Sequence, residues 1–79
     1  MTDLPNQRMT TRDNLYCAEE TEPGHWDIKR SRVDGPRLGF VVYDDKFNDV
    51  WFYPEAAVYS QHAINAIKYL TERVGRKIK

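Results

Sequence analysis

Apolar side chains fill nearly every position from Leu38 to Tyr43. In an extended chain Leu38, Phe40 and Val42 point one way, and Gly39, Val41 and Tyr43 point the other. The pattern returns after the acidic loop Asp44 to Asp49, with Val50 and Phe52 on one face and Trp51 and Tyr53 on the opposite one. Upstream, Trp26 and Ile28 alternate with His25, Asp27 and Lys29. That period of two predicts a first strand over His25 to Val33. Asp34-Gly35-Pro36 then supplies a turn, because glycine tolerates positive φ and proline fixes its own φ.

The period changes after Ser60. Ala63, Ile67, Leu70 and Val74 recur at helical spacing with Ala66 beside them, and Lys68, Glu72 and Arg76 lie on the other side. This is an amphipathic helix with a charged outer face. Pro54 cannot donate to a ladder and ends the preceding strand. Glu55 to Tyr59 reads as a connector or a first helical turn, Ser60 as the N-cap and Gly75 as the helix stop. Met1 to Pro23 is polar, with Leu15, Tyr16 and Cys17 as its only apolar cluster. It reads as a flexible tail, or as an extra strand or helical turn that docks Leu15 and Tyr16. The expected architecture is α+β. A three-stranded antiparallel sheet (β-β-β-α) carries one C-terminal helix packed on one face, in a single domain over 24–79 preceded by a flexible tail over 1–23.

Strand, strand, strand, helix, with Gly-Pro before a strand and a helix opened by Ser60, resembles the later part of a double-stranded-RNA-binding domain over Pro23 to Val74. That family carries a basic pair at the start of its last helix, where this chain has Ser60, Gln61, His62 and Ala63. It also has a first helix that the tail does not supply. The resemblance is one of topology, and topology alone assigns no function.

One helix covers one face of a sheet. If Leu38, Phe40, Val42, Val50 and Phe52 meet the helix, then Val41, Tyr43, Trp51 and Tyr53 face away as a candidate partner-binding surface. The two faces can be exchanged without changing the argument. Against this stands a fold-back of the tail over the second face, through Leu15, Tyr16 and Trp26.

Charge and chemistry narrow the reading. Lysine plus arginine number 12 and aspartate plus glutamate 12, so the chain lacks the net positive field of most nucleic-acid binders. Cations do cluster locally. Lys29, Arg30, Arg32 and Arg37, and Arg73, Arg76 and Lys77 with Lys79, are candidate contacts to phosphates or an acidic partner. The last group also suits the negative end of a helix dipole. Asp44, Asp45, Asn48 and Asp49 lack calcium-loop spacing and read as a solvated turn. His25 and His62 have no ligand neighbour at zinc spacing. Nothing in the chain matches a catalytic, metal or cofactor motif, so a non-enzymatic role with no cofactor is expected.

Cys17 is the only cysteine, no apolar run spans a bilayer, and no signal-peptide pattern opens the chain. A cytoplasmic setting and no membrane partner are expected. The leading expectation is a small protein-interaction module, a regulator or inhibitor of a larger protein. Its size and charge balance suit a phage or mobile-element accessory protein. A nucleic-acid module that stacks bases on Tyr43, Trp51 and Tyr53 is the alternative. Self-association into a homodimer through the aromatic face is the third.

Overall fold

The computed structural model describes residues 7–32 and 35–78. Residues 1–6 of the expected tail, Val33 at the end of the first expected strand, Asp34 of its turn, and Lys79 lie outside the described residues. Five strands precede one helix: β1 (Arg8–Thr10), β2 (Tyr16–Glu22), β3 (His25–Arg30), β4 (Gly39–Asp44), β5 (Asp49–Pro54) and α1 (Gln61–Ile78). The strands form one sheet in the order β1-β2-β3-β4-β5, every neighbouring pair antiparallel. The expected α+β class and C-terminal helix hold, but three strands become five.

The two additional strands come from the segment read as a flexible tail. Tyr16 and Ala18 point into the core and Cys17 to the other side, and all three are buried, so the first half of β2 is covered on both faces. Turn chemistry bounds it at both ends. Asn14 takes a left-handed φ of 61° between β1 and β2, and the Asn14 amide donates to the Thr11 carbonyl at 3.0 Å. Pro23-Gly24 links Glu22 to its partner His25, and Gly24 has φ 80°, the conformation a type II turn reserves for glycine. The described part of the tail therefore extends the sheet at its edge instead of lying over its second face, and Leu15 is 49% exposed.

The core lies between the sheet and α1. Trp26, Ile28, Val41, Leu70 and Val74 are the large, fully buried side chains, joined by Tyr16, Ala18, Ala63 and Ala66. Burying a side chain of this size is worth about 1.5–3 kcal/mol. The helix stripe is as the spacing predicts, and the Ala63 amide donates to Ser60 Oγ at 3.1 Å, an N-cap bond. Gly75 does not stop the helix. It is buried inside α1, where it faces Val50 of β5.

Tyr59 anchors the connector between β5 and α1. Its hydroxyl accepts from the amides of Glu55 (3.0 Å) and Ala56 (3.1 Å) and donates to the Leu38 carbonyl. One phenol thereby fixes the path of the chain from the sheet edge to the helix. Tyr59→Phe removes all three bonds and is expected to lower stability by about 1–3 kcal/mol in urea unfolding.

Two glycines give opposite expectations. A Cβ at Gly39 would lie 2.4 Å from the Tyr53 carbonyl oxygen and 2.6 Å from a Phe52 ring carbon. Gly39→Ala is expected to cost about 1–3 kcal/mol by overpacking. A Cβ at Gly75 would lie 3.4 Å from Val50 Cγ2, an ordinary contact, in a helical residue. Gly75→Ala is expected to gain about 0.5–1 kcal/mol through helix propensity. Urea midpoints of the two variants check both signs.

Candidate functional site

Side-chain direction in the sheet follows from the β4–β5 hairpin. Asp44 pairs with Asp49, leaving four residues in the turn, so Val42 opposes Trp51 and Phe40 opposes Tyr53. Val41 opposes Phe52, and Tyr43 opposes Val50. Residues directly opposite in a ladder share a face. The expected grouping of Phe40 and Val42 with Val50 and Phe52 would need a turn one residue longer or shorter.

The expected partner-binding set is therefore divided. Val41 is fully buried under α1 and leaves the candidate surface. Tyr43 shares that helix side, partly buried, and its hydroxyl donates to Asn48 Oδ1 at 2.9 Å. Trp51 and Tyr53 lie on the open side, 50% and 47% exposed. Their companions there are Phe40 and Val42, expected beneath the helix, and His25, expected outside the site.

These rings form an ordered array. His25 and Phe40 stack with centroids 5.0 Å apart and 10° between planes, and Phe40 and Tyr53 stack at 5.0 Å and 15°. Phe47, 66% exposed at the turn, meets Trp51 edge-on at 6.4 Å. The Arg37 guanidinium lies 4.6 Å from the Phe40 centroid, at cation–π distance. Arg37 is itself clamped by a two-pronged bond to Glu55 and a 2.7 Å bond to Asp27. The bonds to Glu55, then those to Asp27, hold the guanidinium still more firmly in its charged form.

Arg37 is thus separated from the other expected cations. Lys29, Arg30, Arg32, Arg73, Arg76 and Lys77 gather instead around Arg8 of β1, a residue the sequence reading did not single out. Three adjoining hollows along the β1 edge all include Arg8. The signal for Arg8 in the sequence was its place in a strand hidden by the polar tail.

The remaining chemistry-bearing residues stay apart. Cys17 is buried and free. His62 lies at the opposite end of the helix from the basic hollows, 2.9 Å from Asp13 and 5.4 Å from the Tyr16 ring. His25 belongs to the aromatic array. Among the described residues no group of three or more His, Cys, Asp or Glu side chains is placed to hold a metal ion. Among those same residues no helix is long and apolar enough to cross a membrane. No family model, curated protein or solved structure matches the chain.

Asp13 organises the β1–β2 turn and ties it to α1. Its Oδ1 accepts from Thr11 Oγ1 at 2.6 Å and from the Leu15 amide at 3.1 Å, and Oδ2 meets His62 Nε2. These bonds, the Thr11 one foremost, hold its carboxyl below the usual range. A depressed carboxyl stabilises the fold above its ordinary pKa near 3.8, and that contribution disappears as pH falls through the folded value. Asp13→Asn is expected to be less stable than the parent at pH 7, with the difference closing under acid. Urea midpoints measured from pH 7 down to pH 2 test this.

Proposed function

We propose that this chain is a non-enzymatic protein-interaction module that docks a larger protein through the open face of its sheet. The observation that supports it is the co-facial array of His25, Phe40, Tyr53, Trp51 and Phe47, left uncovered by the single helix. Trp and Tyr provide large contact area at low entropic cost, and three half-exposed rings side by side exceed scattered surface exposure. A regulator or inhibitor acting in the cytoplasm, including one carried by a phage or mobile element, is consistent with this reading.

Charge around the array favours a partner of definite chemistry. Asp44, Asp45 and Asp49 flank the Phe47 turn, and Asp27, Glu55 and Glu22 lie at or beside the rings. Arg37 is already neutralised by two carboxylates, and Lys46, with its Nζ 5.8 Å from the Phe47 centroid, is outnumbered by Asp44, Asp45 and Asp49 of the same hairpin. Such a rim repels phosphates and attracts cations. The fitting partner is a protein with apolar side chains ringed by Lys and Arg.

The test begins with a photo-crosslinker placed at Phe47, followed by purification of the captured protein and calorimetric titration. A combined Trp51→Ser and Tyr53→Ser variant is expected to unfold within about 1 kcal/mol of the parent, since both side chains are half-exposed. Its affinity is expected to fall at least about tenfold. Val58→Ser, exposed in the connector, serves as the control and leaves binding unchanged. Equal affinity of parent and double variant would overturn the proposal. So would sedimentation showing a dimer that the double variant dissolves, because the face would then belong to a second copy.

A further inference from the structure

We infer that the β1 edge and the last turns of α1 form a separate surface that binds a nucleic-acid phosphate backbone. The inference is independent of the aromatic face. Its basis is three shallow hollows that run into one another along that edge. The first, about 280 Å³, is lined by Lys29, Arg30, Arg32 and Arg8 with Glu19. The second, about 600 Å³, is lined by Arg8, Arg32 and Arg73 with Met9 and Asn14. The third, about 430 Å³, is lined by Arg8, Arg73, Arg76 and Lys77. Arg8 borders all three, Arg32 joins the first to the second, and Arg73 joins the second to the third.

The cations in this strip are largely without ionic partners. Among the described residues, Arg8, Arg30, Arg32, Arg73, Arg76 and Lys77 make no ion pair, and only Lys29 is paired, with Glu19 at 3.3 Å. Two of them are held in place by neutral groups. Arg8 donates to the Ser31 carbonyl at 3.2 Å. Arg73 donates to the Tyr69 hydroxyl at 3.2 Å, with its guanidinium 5.5 Å from the ring centroid. A cation ordered by neutral contacts keeps its full charge for a ligand.

The pattern favours nucleic acid over an acidic peptide. Arginine outnumbers lysine, and its planar fork matches phosphate oxygens two at a time. The charges are spread along a strip, which suits a ligand with regularly spaced anions. The hollows offer almost no apolar anchor beyond Met9, whereas a peptide partner draws much of its affinity from such anchors. Stacking rings are also absent from their linings. The expected mode is backbone contact with little sequence preference.

The experiment uses fluorescence anisotropy on the full chain with labelled 20-nucleotide probes: duplex DNA, duplex RNA and single-stranded DNA of mixed sequence. Binding is expected for at least one probe at 50 mM salt. It should weaken roughly a hundredfold by 200 mM if about four phosphates are neutralised. A combined Arg32→Glu and Arg73→Glu variant is expected to weaken binding more than about tenfold and to flatten the salt slope. Lys68→Glu makes half that change of charge on the outer face of α1 and should act less than about threefold. Trp51→Ser with Tyr53→Ser should leave binding intact, which separates this surface from the docking face. Circular dichroism confirms that each variant is folded. No binding to any probe at 50 mM salt would overturn the inference. Undiminished binding by the folded Arg32→Glu, Arg73→Glu variant would do the same, as would poly-glutamate displacing the probe at equal charge concentration.

Discussion

Four residues between Asp44 and Asp49 determine which side of this molecule is oily. A strand has a period of two, so a turn one residue longer or shorter would carry Trp51 and Tyr53 beneath the helix and expel Phe52. The turn is held by its own chemistry. Asn48 takes φ 51°, its side chain accepts from the Tyr43 hydroxyl, and the Lys46 amide donates to Asp44 Oδ1 at 3.0 Å. At the far end of the same hairpin the Phe52 ring occupies the space that a Gly39 side chain would fill. The two ends agree on one register, and every later feature of the open face follows from it.

That face is not uniform. Toward β1 it carries Thr10, Cys17 and the Lys29–Glu19 pair, and there Cys17 is fully buried. Toward β5 it carries the rings, and there side chains remain half-exposed. Between the two, Arg37 joins Asp27 of β3 to Glu55 beyond β5 while lying on Phe40. Partly exposed ion pairs contribute little to stability. The stronger effect of this clamp is to restrict the rotamers of the side chains it joins, which leaves less entropy to lose when a partner arrives.

Elements with a strong local period were legible in the sequence. The α1 stripe, the Ser60 cap, the alternation in β3 and the apolar runs of β4 and β5 can all be read directly from residue order. The β1–β2 hairpin was hidden because β1 has only three residues and the second half of β2 is Glu20-Thr21-Glu22 at a solvated end. A signal was nonetheless present. Tyr16 and Ala18 alternate around Cys17 in a seven-residue segment bounded by Asp13-Asn14 and Pro23-Gly24. Face assignment in β4 failed for a different reason. Both faces of that strand are apolar, so hydrophobicity cannot set its parity, and only the turn length does. Gly75 shows that a glycine near a helix end need not terminate it, since α1 runs on to Ile78.

Formal neutrality concealed the arrangement of charge. A sum of charges describes the whole molecule, but a ligand responds to the groups within about one Debye length, roughly 8–10 Å at physiological salt. The protein measures 37 × 32 × 21 Å, several times that distance along its longer axes. Sequence order scatters the cations among Arg8, the Lys29–Arg32 run and the last helical turns, while antiparallel pairing brings all three to the β1 edge. The acids of the Phe47 turn belong to the hairpin at the other edge of the sheet. Because both sets hang on one sheet, formal neutrality coexists with two patches of opposite sign at its two edges. A partner that meets one edge is screened from much of the field of the other, so one small domain can present an acidic aromatic surface and a basic one together.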